Sequence, residues 1–352
     1  MIMNKRYKLL CQQSAFPVFQ NRMYELKKEA IDCQKGDIHL VQNLDTGLIY
    51  NLDFNSKLMK YDKHYQNEQA VSHVFQKHLD NVAKIIERLL GKCELVEVGC
   101  GKAYFLELLQ SKGFGIVGFD PTYEGQNPSV ERRYFNKDVG VQAEGIVLRH
   151  VLEHIQDPIG FLQRLNIANT RKGNIYIEVP CFDWIVKNKT WFDIFYEHVN
   201  YFRLSDLNRM FGNVIESGKL FGGQYIYVVA ELASIKQPVF DINNQLSKVE
   251  IEFSIDKSFQ PGPLVICGGA SKGVIYSLLM IRAGNTVDMV IDINPAKQGK
   301  YLPATGLLVH SPEDAMDMLP KGATVLVMNP NYMREIKEMT ENRYVYIGVD
   351  CG

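Results

Sequence analysis

Residues 94–105 read ELVEVGCGKAYF, and this stretch constrains the fold more than any other part of the chain. An apolar strand pattern runs into Gly99 and Gly101, then into the helical pattern YFLELLQSKG, which stops at Gly113. A strand, a glycine turn and a helix in that order belong to a doubly wound parallel sheet, because parallel pairing needs a crossover. Glycines in such a turn let the backbone approach a ligand at the carboxyl edge of the sheet.

The spacing of the turn narrows the ligand. A pyrophosphate-binding turn takes G-x-G-x-x-G, and Tyr104 stands where the third glycine belongs. The alternative E/D-x-G-x-G-x-G/A fits Glu97, Gly99, Gly101 and Ala103, with Cys100 between the glycines. This resembles motif I of the class I methyltransferases, which bind S-adenosylmethionine (SAM). The resemblance implies that Glu97 meets the ammonium group of SAM, while Gly99, Cys100 and Gly101 pass its adenosine and aminoacyl tail.

The next strand, GIVGFDPTYE, ends at Asp120 and Pro121, where a carboxylate accepts the hydroxyls of a ribose. The alternative is that Asp120 only caps its turn. YFNKDVG offers Asn136 and Asp138 to an adenine. LRHVLEHIQDP resembles the segment after the fourth strand of many SAM methyltransferases. That implies His150 near the cofactor and His154 near the acceptor, with packing on a helix face as the alternative for both.

The alternation of helix and strand extends from about residue 75 to 240. VFQKHLDNVAKIIERLLG has apolar residues at helical spacing and stops at Gly91. GIVLRHVLEHI reads as a strand entering a turn, PIGFLQRLNIAN as a helix and NIYIEVP as a strand. Residues 1–75 are polar with short apolar runs, IHLVQ and TGLIYNL, and read as small β-pieces. ELASIKQPVFDINNQ marks a boundary. Beyond it PLVICGGASKG, VIYSLLMIRAG, VDMVIDINP, ATVLVMNPN and YVYIGVD describe a second, smaller α/β unit. The expected architecture is a class I methyltransferase (Rossmann-like) core at 76–240. A β-rich N-terminal domain (1–75) and a Rossmann-like C-terminal domain (241–352) flank it.

WFDIFYEHVNYFRLSDLNRMF places Glu197 and His198 among aromatics after the last parallel strand. Histidine suits general-base work near neutrality. A ring stacked on Tyr201 is the equal alternative. The order of parts resembles the three-domain sugar C-methyltransferases of deoxysugar pathways. FYEHVNYF matches their Y-x-E-H-x-x-Y-F from the glutamate onward. GGASKG matches a G-A-x-x-K-G turn, and DINPAKQGKYLP matches D-x-x-P-x-K-Q-G-x-x-L-P.

This resemblance implies C-methylation beside the carbonyl of a small acceptor, a nucleotide-linked keto sugar. On that reading His198 is the base and His154 the second choice. Glu197 orients the imidazole and Tyr196 meets the enolate oxygen. Lys272 is a candidate phosphate or carboxylate contact, against a solvated turn lysine. Tyr61, Tyr65 and Asn67 are candidates to close over the cofactor.

Two departures stand out. The family's N-terminal zinc domain uses two C-x-x-C pairs. Here Cys11 is followed by Ser14, and Cys33 by Gly36, with His39 off a ligand spacing. Two cysteines fall short of the four ligands of a structural zinc site, so no metal is expected. The family's tyrosine two residues before the glutamate is Phe195, with Tyr196 shifted by one.

The formal net charge of −1 gives no surplus to neutralise phosphates, which argues against nucleic acid. No apolar run reaches the roughly 20 residues of a membrane span. Seven scattered cysteines fit reduced thiols in a cytoplasmic monomer or homodimer. The competing readings are an O- or N-methyltransferase, a non-catalytic binder of SAM or a nucleotide sugar, and an NAD-dependent enzyme.

Overall fold

The computed structural model describes residues 6–59, 71–246 and 262–349. Tyr61, Tyr65 and Asn67, expected near the cofactor, lie outside the described residues. The N-terminal part holds β1 (Tyr7–Pro17), α1 (Lys27–Ile31), β2 (Lys35–Asn43) and β3 (Ile49–Asn51). The central part opens with α2 (His73–Leu90), β4 (Glu94–Val98), α3 (Tyr104–Ser111), β5 (Gly115–Phe119) and β6 (Val130–Glu131). It continues with β7 (Gly145–Arg149), α4 (Pro158–Ala168), β8 (Asn174–Pro180) and α5 (Phe182–Lys187). It closes with β9 (Asn200–Tyr201), α6 (Leu204–Arg209), β10 (Val214–Leu220) and β11 (Tyr225–Glu231). The C-terminal part holds β12 (Leu264–Cys267), α7 (Ser271–Arg282), β13 (Met289–Ile291) and β14 (Val309–His310). After these come α8 (Pro312–Met318), β15 (Thr324–Val327), α9 (Met333–Met339) and β16 (Val345–Gly348).

The central sheet runs β6-β5-β4-β7-β8-β11-β10. The strands from β6 to β8 pair in parallel, β11 runs antiparallel to β8, and β10 antiparallel to β11. The direction of winding reverses between β4 and β7, which opens a crevice at their carboxyl ends. The turn after β4 and the segment after β7 therefore face the same space.

The β10–β11 hairpin is an addition to the expected alternation. Its turn carries Gly222 and Gly223, both at positive φ, and the half-exposed β10 hides the strand pattern in the sequence. Helix α2 forms where its apolar spacing predicts. Ser72 Oγ accepts from the backbone N–H groups of Val74 and Phe75. Phe75, Leu79, Val82, Ala83 and Ile86 are buried along one face, and Gly91 closes the helix at φ 75°.

The C-terminal sheet, β14-β13-β12-β15-β16, is parallel throughout and Rossmann-like. The N-terminal sheet is antiparallel in the order β1-β2-β3-β9, so residues 200–201 of the central stretch complete it. Strand β1 is longer than the short β-pieces read from the sequence. Register shifts between Leu9 and Cys11, and between Gln13 and Phe16, break its alternation. At the second shift Ala15 is left-handed (φ 56°) and its N–H donates to Asp37 Oδ1 at 2.8 Å.

Cys11 and Cys33 are free, buried thiols. Burial pushes Cys11 up to about 12 and raises Cys33. Both behave as small hydrophobes. One core cluster joins all three parts: Leu10, Phe16 and Leu40, then Phe182 and Trp191, then Ile266 and Val274.

Candidate active site

A cavity of about 390 Å³ lies at the β4/β7 switch point and reaches the C-terminal part, a size within the range for small-ligand sites. The glycine turn forms one wall. Gly99 (φ 73°) and Gly101 (φ 54°) adopt backbone that side chains rarely take, and a Cβ on Gly101 would point into open space. Glu97 lines this wall, and its Oε2 is buried with no hydrogen-bond partner among the described residues. Burial pushes its carboxyl up to about 8, against the pull of Arg149. A buried carboxyl without a donor fits a cationic ligand, and the ammonium of SAM is one.

The segment after β7 forms the floor. His150 is left-handed (φ 52°), which turns its ring into the cavity instead of onto a helix face. Its Nδ1 lies 3.4 Å from Glu153 and its Nε2 lies 3.3 Å from Glu178. Burial lowers its pKa, but the two glutamates outweigh that and lift it to about 9. Glu178 is fully buried at the end of β8. It accepts from Arg149 Nε at 3.2 Å and Tyr176 Oη at 2.8 Å, and pairs with His78 Nε2 at 2.8 Å. Burial pushes Glu178 up, yet Arg149, His150 and His78 hold it well below the usual carboxylate range.

His154 ends the 3₁₀ turn Leu152–His154, and its Nδ1 bonds the backbone carbonyl of Glu197 at 2.8 Å. His198 lies across from it, with ring centroids 4.9 Å apart. The His198 ring sits 4.0 Å from Phe195 and 6.3 Å from Tyr201, so Phe195 is its nearer aromatic neighbour. Burial, then His154 and His150, hold its pKa well below the ordinary histidine value. His198 is therefore neutral at pH 7. Glu197 also lines the cavity, and its Oε2 accepts from the backbone N–H of Gln20 at 3.0 Å.

The structure brings together Glu97, Gly99, Cys100, Gly101, His150, His154, Glu197 and His198, and leaves Tyr196, Asp120, Pro121, Asn136 and Asp138 outside the lining. Tyr196 turns into the N-terminal part. It stacks on Phe54 at 5.5 Å, and its hydroxyl accepts from Asn55 N at 2.8 Å. It does not face an enolate in the cavity, because Phe195 takes the inward position. Asp120 takes the capping role: Oδ2 accepts from Gly101 N at 2.9 Å, and Oδ1 from Thr122 N and Oγ1 at 2.8 and 2.7 Å. Pro121 beside it is exposed and outside the lining. Asp138 and Asn136 are exposed, and Asn136 Oδ1 caps the turn through Asp138 N at 2.9 Å.

Lys272 is not a solvated turn lysine. It donates to Asp193 Oδ2 at 2.8 Å and lies over Trp184 at 5.0 Å, at the cavity edge. Arg149, Glu153 and Glu178 carried no sequence signal of their own, since each depends on the neighbours that the sheet supplies.

The sequence matches the family described as Methyltransferase domain over residues 69–214. It matches the family described as C-methyltransferase C-terminal domain over residues 241–348. A relative, C-methyltransferase NovU of Streptomyces niveus, is 25% identical over 296 residues, covering 70% of each chain. Among solved structures, a SAM-dependent methyltransferase of Archaeoglobus fulgidus is similar at 17% identity. The match covers 46% of this chain and all of that one, with a TM-score of 0.32. Magnesium protoporphyrin IX methyltransferase of Synechocystis PCC 6803, with bound S-adenosylhomocysteine, is similar at 13% identity. It covers 45% of this chain and 82% of that one, with a TM-score of 0.34.

Strand order and glycine turn define a class I methyltransferase core. The chain is a SAM-dependent methyltransferase, and SAM is its cofactor.

Proposed function

We propose that this enzyme methylates carbon beside the carbonyl of a small acceptor, a nucleotide-linked keto sugar, with His198 as general base. The observation that carries the reading is the neutral imidazole of His198 in the cavity that the glycine turn also lines. SAM, when bound, supplies an electrophilic methyl group. Glu97, Gly99, Cys100 and Gly101 hold it on the glycine-turn wall. His198 takes the proton from the acceptor carbon, and the electron pair left on that carbon is the nucleophile. His150 presents an imidazolium toward the charge that grows on the carbonyl oxygen. Ser271, Lys272 and Asn294 line the C-terminal side, where polar groups and a cation suit a phosphate-bearing acceptor. The C-methyltransferase name of the Streptomyces relative and of the matched C-terminal family supports transfer to carbon.

The test uses nucleotide-linked keto sugars with SAM, and the product is read by NMR for a new C–CH₃ bond. His198→Asn lowers turnover by roughly 10²–10⁴-fold and leaves SAM affinity unchanged in calorimetry. A methyl group found on oxygen or nitrogen rejects transfer to carbon. Full turnover in His198→Asn rejects the base.

A further inference from the structure

Glu153 is 1% exposed and lines the cavity, and neither of its carboxylate oxygens has a hydrogen-bond donor among the described residues. His150 Nδ1 lies 3.4 Å away, at an ion-pair distance. A buried carboxylate in that state costs free energy unless something else satisfies it. The donor atoms of Glu153, His154 and His198 lie within 4.8 Å of one another. The carbonyl of Glu197 accepts from His154 Nδ1–H, which leaves Nε2 as the nitrogen free of that bond. A backbone carbonyl on the far nitrogen is the arrangement that orients metal-bound histidines. His198 lies across from His154, ring centroids 4.9 Å apart, and supplies the second imidazole.

We propose that Glu153, His154 and His198 form a binding site for a first-row divalent cation, Zn²⁺ or Co²⁺, on the cavity floor. Two imidazoles and one carboxylate suit such ions and leave positions open. Donors bound at about 2.1 Å stand roughly 3.4 Å apart around a tetrahedral ion. Binding would draw the donor atoms inward from their present span of up to 4.8 Å. Resting on the reading of His198 as base, the same lone pair then serves either the cation or the acceptor proton. Divalent cation is thus an inhibitor here, and a chelator restores turnover.

The experiment titrates the full-length, chelator-treated protein with Co²⁺ by visible absorption and with Zn²⁺ by calorimetry. Glu153→Gln and His154→Gln, checked for folding by circular dichroism, are titrated alongside. The expected result is one equivalent bound, with affinity falling roughly tenfold or more in each folded variant. No Co²⁺ band, or equal affinity in both variants, overturns the site. Binding that depends on both residues while turnover is unaffected upholds the site and rejects His198 as the base instead.

Discussion

The ring of Tyr196 lies flat against Gly36, so that a Cβ at position 36 would sit 2.7 Å from Tyr196 Cδ2 and Cζ. Gly36 stands where the sequence resemblance leads one to expect a cysteine, and Tyr196 is the tyrosine displaced by one from the expected place. The two departures in the sequence are one packing event. The ring fills the space a metal-ligating side chain would need, beside Val18, Phe19, Phe54 and Val199. Gly36→Ala therefore destabilises the protein by about 1–3 kcal/mol through overpacking. Tyr196→Ala removes that penalty in a double-mutant cycle. Denaturant unfolding of the four proteins reads the coupling.

Because Tyr196 faces away from the cavity, Tyr196→Phe keeps kcat and costs about 1 kcal/mol of stability, for the hydrogen bond from Asn55 N. A kcat loss of tenfold or more returns Tyr196 to the chemistry. Steady-state kinetics beside thermal unfolding separates the two effects.

Glu97, pushed up to about 8 by burial, holds a proton at pH 7 before SAM binds. An ammonium group placed against it drives that proton off, so binding at pH 7 releases about one proton. SAM affinity rises as pH climbs toward 8. Calorimetry in two buffers of different ionisation heat counts the proton, and Glu97→Gln removes the release.

On the proposed reading His198 must be neutral to act as base, and burial with the two neighbouring histidines holds its pKa well below the ordinary histidine value. The acid limb of the kcat/KM profile therefore falls below about pH 6.5. His198→Asn lowers kcat by roughly 10²–10⁴-fold, the usual worth of a general base. A rate-against-pH series with saturating SAM reads both.

Glu178 gathers Arg149, His150, His78 and Tyr176 behind the cavity. Its folded pKa is depressed, so its stabilisation is present above the unfolded value of about 4.3 and is lost as pH falls. Glu178→Gln leaves buried positive charge and costs about 3–5 kcal/mol at pH 7. It also flattens the acid side of the stability curve. Melting temperatures from pH 3 to 8 for both proteins test this.

The sequence by itself determined the parts whose causes are local. The glycine turn at 99–101, the cap and apolar stripe of α2, and the strand–helix alternation are written in neighbouring residues, and the class of cofactor follows from them. His150, His154, Glu197 and His198 were legible as candidates because they sit at the ends of readable elements. Only the tertiary structure decided the rest. The reversal between β4 and β7 brings residues about fifty positions apart to one cavity floor. It ties Asp120 to Gly101 and Thr122, sends Tyr196 to Gly36 and Phe195 inward, and leaves Glu153 buried beside His150 and His154. Those outcomes depend on which side chain fills which space, and packing of that kind has no sequence period to betray it.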